Sequence, residues 1–140
     1  MNNKLRQASQ SLELKQALQA VLAKQEGVRL AILFGSLASG TARAESDLDV
    51  AVDAGHPLDA AEKMQLIGDL AAATGRPIDL VDLQFVGEPL LGQILRHGKR
   101  LIGNDTRYGD LIRKHLFEQA DFMPYRNRIL ADRRKAWIGK

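Results

Sequence analysis

The feature that most constrains the fold of this chain is a short apolar run followed by an acidic alternation. Residues 28–34 read VRLAILF, almost continuously apolar and rich in branched side chains, and Gly35 follows directly. Such a run is typical of a buried strand. The next stretch, SDLDVAVD, alternates apolar and acidic residues and predicts a second strand. Because alternate residues of a strand share a face, we expect Asp47 and Asp49 to point the same way.

The rest of the pattern predicts one α+β domain with a helical tail. Apolar residues at helical spacing, with glycines after them, predict helices, and short branched apolar runs predict strands. The predicted helices cover residues 9–24, 59–74 and 90–97, and the predicted strands cover residues 28–34, 48–52, 78–83 and 99–102. This order indicates a small mixed sheet flanked by helices.

A basic tail, residues 106–140, is predicted to follow a domain of residues 1–105. Nine Lys and Arg residues against four Asp and Glu residues give the segment 107–140 a net charge of +5, although the whole chain carries only +3. Its apolar residues recur at helical spacing, so we interpret it as a helical element that either packs on this domain or binds a partner. The residues that suggest docking include Phe122, Met123, Tyr125 and Trp137.

Composition excludes several classes of protein. The chain has no cysteine, which rules out disulfides, thiolate zinc sites and cysteine nucleophiles. The three histidines, His56, His97 and His115, have no companions at metal-ligand spacing. No segment approaches the roughly 20 apolar residues that cross a bilayer, so we expect a cytoplasmic protein without a membrane partner. A modest net charge does not indicate direct nucleic-acid binding.

The acidic residues predict a metal site. Asp47 and Asp49 on one strand face would repel each other, and a bound cation removes that conflict. The apolar run IDLVDL places Asp79 on a third strand, which could lie beside the other two carboxylates. Three carboxylates suit two-metal transfer of a phosphate-linked group. Asp82 is the alternative third ligand, and it could instead cap the segment that follows.

These residues carry a family signature. The sequence motif GSxxxGxxxxxSDxD is matched by Gly35-Ser36, Gly40, Ser46, Asp47 and Asp49. The chain therefore resembles the nucleotidyltransferases of the DNA polymerase beta superfold. Related chains often have an arginine before the spacer glycine, where this one has serine. The short length narrows the resemblance to the minimal nucleotidyltransferases.

The resemblance implies a chemistry and a partner. It assigns Mg²⁺, as two ions, to Asp47, Asp49 and Asp79, and the triphosphate of ATP to Gly35, Ser36 and Ser46. Such proteins are commonly antitoxins of HEPN/MNT pairs, and some transfer AMP to a tyrosine of the HEPN ribonuclease. Two alternatives stay open: transfer to a small hydroxylated molecule, and an antitoxin without catalysis that occludes its partner. Arg43 and Lys99 could contact triphosphate or simply be solvated.

Overall fold

The computed structural model describes residues 3–35 and 46–120. In this part of the chain the elements, in order, are α1 (Asn3–Ala23), β1 (Leu30–Phe34), β2 (Leu48–Asp53), α2 (Ala60–Thr74), β3 (Ile78–Asp82), α3 (Leu90–His97), β4 (Lys99–Ile102) and α4, whose described part covers residues 105–120. The predicted α+β fold is confirmed, and every predicted strand is present within two residues of its expected bounds.

The four strands form one mixed sheet in the order β3-β2-β1-β4. β1 runs antiparallel to β2 and β4, whereas β2 and β3 are parallel. The point where β1 ends is therefore also the point where β2, β3 and β4 begin. We call this end of the sheet, which carries Asp49 and Asp79, the carboxylate end.

Both faces of the sheet are covered, which explains why β1 is apolar along its whole length. The first face packs against α1 and α2 in a core of Leu18, Leu22, Ala31, Leu33, Leu48, Val50, Val52, Leu66, Leu70 and Leu101. The second face packs against α3 and α4 in a core of Leu30, Ile32, Ala51, Leu83, Val86, Leu91, Ile94 and Leu111. Alternate residues of β1 divide between these two cores.

Helix α2 has the start and stop that its sequence predicts. Asp59 accepts a hydrogen bond from the backbone N–H of Glu62, and the Glu62 side chain accepts one from the backbone N–H of Asp59. Gly75 ends the helix in the left-handed conformation, with φ of 69°. Helix α1, by contrast, begins at Asn3, six residues before its predicted start. Its first turns are exposed, so good helix formers extend it without any apolar periodicity.

Helix α4, which opens the predicted tail, packs on the domain. Leu111 is buried in the second core, and the Lys114 ammonium donates hydrogen bonds of 3.2 Å to the carbonyls of Leu83 and Val86. The boundary between residues 105 and 106 stays a prediction. Residues 121–140 lie outside the described part of the chain. Within residues 3–35 and 46–120, no helix is long and apolar enough to cross a membrane.

Candidate active site

Two of the predicted carboxylates meet at the carboxylate end of the sheet. Asp49 on β2 and Asp79 on β3 are direct partners in the parallel register, and Phe34 of β1 is the partner of Asp49 on its other side. The Asp49 and Asp79 carboxyl groups are within hydrogen-bonding reach of each other. The strand order thus brings together residues that stand 30 positions apart in the sequence.

The Asp49 carboxyl is in an environment that disfavours its charge. Its pKa is raised from 3.8 to about 6, first by burial and further by the negative charge and hydrogen bond of Asp79 and by the negative charge of Asp47. Burial and like charge are the two general causes of a raised carboxyl pKa. A cation placed between these carboxylates would offset both effects.

Asp47 does not belong to this pair of strand residues, because it precedes the first residue of β2. It is exposed just before β2, and its charge reaches Asp49. Within residues 3–35 and 46–120, no three acidic, histidine or cysteine side chains are close enough together to hold a metal ion as they stand. A three-carboxylate site therefore requires Asp47 to turn towards Asp49, and its exposure leaves room for that rotation. The oxygen donors present fit Mg²⁺, which prefers carboxylates and completes its coordination with water and phosphate oxygens.

Gly35 ends β1 directly against the Asp49 carboxyl. Its φ is 79°, in the left-handed region, and a Cβ placed there would lie 2.9 Å from Cγ of Asp49. Only glycine therefore allows the chain to leave β1 along this path while Asp49 keeps its position. Ser36, Gly40 and Arg43 lie outside the described residues. Ser46, which directly precedes Asp47 in the sequence, is half-buried. The roles given to these residues stay predictions.

Asp82, the alternative third ligand, serves the opposite end of β3. Its side chain is 5% exposed. One carboxylate oxygen accepts a hydrogen bond of 2.8 Å from the backbone N–H of Leu58, and the other accepts one of 2.9 Å from that of Gln84. Its register partner on β2 is Val52, three residues beyond Asp49. Asp82 thus ties together the loops at this end, as the capping alternative expects.

The three histidines do not meet at any site. His56 bonds to Glu62 at the start of α2, and this hydrogen bond raises the pKa of its imidazole. His115 on α4 contacts the Glu88 carboxylate. His97 stands in the last turn of α3.

Three basic residues stand at the same end of the sheet, and only Lys99 among them is a candidate triphosphate contact from the sequence. Arg96 and His97 end α3, and Lys99 begins β4 opposite Leu33, so all three stand at the carboxylate end. The sequence shows these residues close together along the chain. It does not show that β4 pairs with β1, which is what brings the start of β4 to the carboxylate end, where Lys99 lies on the sheet face opposite to that of Asp49.

A family model described as "Polymerase beta, Nucleotidyltransferase" matches residues 16–107. The match includes all four strands and the acidic pair. The chain belongs to the polymerase beta nucleotidyltransferase family. A likeness over this much of the chain agrees with the fold and with the position of the carboxylates in it.

One curated relative is the protein adenylyltransferase MntA of Shewanella oneidensis, 40% identical over 76 residues. The matched region is 54% of this chain and 55% of the relative, so the chain spans about half the length of the curated relative that it matches.

Solved structures are similar over more of the chain. A chain in the crystal structure of a toxin–antitoxin complex with AMP-PNP superposes with a TM-score of 0.71 and 29% identity, over 84% of this chain and 96% of that one. A chain in the complex of a tri-AMPylated Shewanella oneidensis HEPN toxin with its MNT antitoxin has a TM-score of 0.63 and 26% identity, over 90% and 97%.

Proposed function

We propose that this chain is a Mg²⁺-dependent protein adenylyltransferase that transfers AMP from ATP to a tyrosine hydroxyl of a cognate HEPN ribonuclease toxin, and so acts as its antitoxin. The observation that carries the proposal is the meeting of Asp49 and Asp79 on adjacent strands, beside the glycine that ends β1. The matches to a protein adenylyltransferase and to antitoxin complexes support the donor, the acceptor class and the partner.

The reaction is a displacement at the α-phosphorus of ATP. The tyrosine oxygen attacks that phosphorus, the bond to the oxygen bridging to the β-phosphate breaks, and pyrophosphate leaves. The hydroxyl proton passes to a carboxylate or to water. The AMP then stands on the acceptor as a phosphodiester. No covalent intermediate with the protein is required, so the task of the chain is positioning and charge stabilisation.

Each site residue has a part in this positioning. Asp49 and Asp79, with Asp47 turned inward, are the residues that would hold Mg²⁺. When bound, the metal stabilises the leaving pyrophosphate and lowers the pKa of the attacking hydroxyl. Gly35 keeps the space above β1 free of a side chain, so a phosphate can approach the backbone. Ser36 and Ser46 are proposed to donate hydrogen bonds to the triphosphate oxygens.

The close Asp49–Asp79 pair favours catalysis over an antitoxin that acts by occlusion alone. Like charges on adjacent strands, with Asp49 also partly buried, weaken the metal-free fold, and a binding surface has no need of them.

The test is transfer to a HEPN protein followed by intact mass. The purified chain is incubated with ATP, Mg²⁺ and its proposed HEPN partner, and each AMP adds a fixed mass to the acceptor. We expect AMP on the HEPN protein and none when Asp47→Asn and Asp49→Asn are combined. Ribonuclease activity of the acceptor should fall as its mass rises.

The controls separate the alternatives. A chain that silences the ribonuclease without any added mass would contradict the proposal and support occlusion. A chain that leaves the HEPN protein unmodified, while consuming ATP when a small hydroxylated molecule is added, would support the small-molecule alternative. Replacing the acceptor tyrosine with phenylalanine should abolish the added mass, because phenylalanine has no hydroxyl.

A further inference from the structure

A polar cavity of about 300 Å³ lies at the end of the sheet opposite to the carboxylate end. It is enclosed by the residues where β1 begins and where β2 and β3 end, and by one face of helix α4. Asp53 stands four residues beyond Asp49 on β2, about 13 Å along the strand. The cavity is therefore separate from the proposed transfer site. The polar residues that line it are Arg29, Asp53, Gln84, Arg107, Asp110 and Lys114.

One cation of this cavity is matched by an acid. The Asp53 carboxylate accepts hydrogen bonds from the Arg29 guanidinium at 3.2 Å and from the Gln84 amide at 2.8 Å. It also accepts one of 2.8 Å from the backbone N–H of Gly55. These donors hold Asp53 beside Arg29, so the charges of the two residues offset each other.

Two further cations of the cavity have no acid partner. Arg107 and Lys114 stand seven residues apart on α4, which places them on one face of the helix and about 10 Å apart along its axis. In the described part of the chain neither forms an ion pair, and the Lys114 ammonium bonds to backbone carbonyls. Asp110 is exposed and pairs with Arg113 at 3.7 Å. The cavity thus has an excess of positive charge.

Arg107 is the residue of this cavity that most indicates a ligand. It is half-buried, and its printed hydrogen bond to the Asn104 side chain is made by its backbone N–H, so among the described residues its guanidinium has no partner. A charged group withdrawn from water usually has one. Arg107 also lies in the first turn of α4, where the helix dipole adds positive potential. A guanidinium matches the geometry of a phosphate with two parallel hydrogen bonds.

We propose that this cavity binds a small molecule that carries a phosphate group. Arg107 donates to the phosphate oxygens, and Lys114 supplies a second positive charge. Leu83 and Leu111 also line the cavity and give an apolar surface for the rest of the molecule, while Asp110 accepts from its hydroxyl or amino groups. A volume of about 300 Å³ is at the lower end of small-molecule sites and suits a molecule no larger than a nucleoside monophosphate. The site requires neither a metal nor the carboxylate end.

The test measures phosphate binding to the full chain by NMR titration of isotope-labelled protein. The buffer contains EDTA, which removes divalent cations and leaves the carboxylate end without metal. Inorganic phosphate, pyrophosphate and AMP are titrated separately as probes. The variant is Arg107→Ala. The matched control is Arg113→Ala, which removes the same charge from an exposed position of the same helix that does not line the cavity.

We expect binding to shift the amide signals of Gly55, Gln84 and Arg107. Arg107→Ala should weaken the affinity about ten-fold, the effect of losing a hydrogen bond to a charged group, and Arg113→Ala should keep the wild-type affinity. Arg107→Lys should bind with intermediate affinity, because the charge stays while the paired donors are lost. Added salt should weaken binding, because partly exposed charges are screened.

The three probes distinguish two sources of the phosphate. Tighter binding of AMP than of either inorganic probe would assign the cavity to a nucleotide, because the apolar surface then contributes. Equal affinities would assign it to the phosphate group alone. Both results support the proposal. A bound probe should also raise the midpoint of thermal unfolding, since it binds only the folded chain.

Three outcomes would overturn the proposal. The first is that none of the probes binds the wild type at millimolar concentration. The second is that Arg107→Ala and Arg113→Ala weaken binding equally, which would mean that only the net charge of α4 matters. The third is that the shifted signals are those of Gly35 and Asp49, which would place the anion at the carboxylate end. Transfer of AMP to a HEPN protein does not enter these measurements, so the proposed function succeeds or fails independently.

Discussion

At the scale of single residues, two aspartates of β3 have opposite roles. Asp79 is exposed beside Asp49, whereas Asp82 is buried and accepts backbone hydrogen bonds from Leu58 and Gln84. Asp79→Asn should lower AMP transfer about 100-fold, since a metal ligand is lost. It should also leave stability equal or higher by about 0.5 kcal/mol, because a like-charge pair is removed.

The matched substitution at Asp82, on the same strand, should lower stability and leave transfer intact. Asp82→Asn turns an acceptor oxygen into an N–H donor, and we expect a loss of about 1–3 kcal/mol in the free energy of unfolding. Transfer by the folded fraction should persist. Urea unfolding and a transfer assay on both variants check this, and a large loss of transfer in folded Asp82→Asn would move the third ligand to Asp82.

Gly35 allows a similar pair of substitutions. Gly35→Ala should cost about 1–2 kcal/mol for the left-handed backbone, and should also abolish most transfer because the new Cβ displaces Asp49. Gly75 has φ of 69° with open space around it, so Gly75→Ala carries the backbone cost alone. Measured kcat for the two proteins at a temperature where both are folded should differ strongly. Equal rates would show that the Gly35–Asp49 contact does not matter.

Asp53 gives the fold a dependence on pH. Burial acts to raise its pKa, but hydrogen bonds from Gly55 and Gln84 and the charge of Arg29 together lower it. A lowered pKa means that the Asp53 charge stabilises the fold above its unfolded pKa of about 3.9. That contribution is lost as the pH falls through the folded pKa.

Asp53→Asn should therefore be less stable than the wild type at pH 7, and the difference should shrink as the pH falls below the unfolded pKa of about 3.9. The asparagine oxygen can still accept from the Gly55 N–H, so the change removes mainly the charge. Urea unfolding at pH 7 and at pH 3 measures the difference. A gap between the two proteins that persists unchanged at pH 3 would contradict this origin of the stability.

At the scale of elements, the cap at the start of α2 should contribute to the free energy of unfolding. The capping box of α2 depends on Asp59, and Asp59→Ala should cost about 1 kcal/mol in the free energy of unfolding. Glu13→Ala, on an exposed position of α1, should cost much less. Thermal unfolding of both variants tests this, and equal effects would mean that the cap is not formed in solution.

The same elements indicate how far the sequence predicts this structure. Strand β1 and helices α2 and α3 could be predicted because apolar runs, caps and glycines coincide at their ends. The first two turns of α1 could not, because exposed residues leave no periodic signal. Asp49 could be predicted as a site residue from its spacing to Gly35. The meeting of Asp49 with Asp79 was an expectation that depended on strand pairing, which local patterns do not encode.

At the scale of the whole molecule, strand order accounts for what the sequence leaves open. The sequence predicts β4 as a short edge strand, but only the strand order shows that β4 pairs with β1. Helix α4 is predicted to pack on this domain or on a partner, and Leu111 completes the second core. The position of β4 and the packing of α4 both depend on contacts between segments that lie far apart along the chain.

Truncation separates the core role of α4 from the predicted docking role of the tail. A chain ending at residue 104 loses Leu111 and the Lys114 hydrogen bonds, so we expect a loss of about 3 kcal/mol or more. A chain ending at residue 120 keeps both and should unfold near the wild-type midpoint. Its binding to the HEPN protein should weaken, because the truncation removes the basic segment that is predicted to dock. Leu116 and Phe117, which are 58% and 61% exposed, remain in the shortened chain. Full partner affinity in the 1–120 chain would contradict the docking role.

We propose above all that the carboxylates at the starts of β2 and β3 hold the metal and the nucleotide. A crystal structure of the full chain with Mn²⁺ and a non-hydrolysable ATP analogue tests it directly, because Mn²⁺ replaces Mg²⁺ and scatters anomalously. We expect an anomalous peak in contact with Asp49 and Asp79, with Asp47 turned inward and the triphosphate lying over Gly35. A nucleotide bound elsewhere, or a metal away from these carboxylates, would contradict the account.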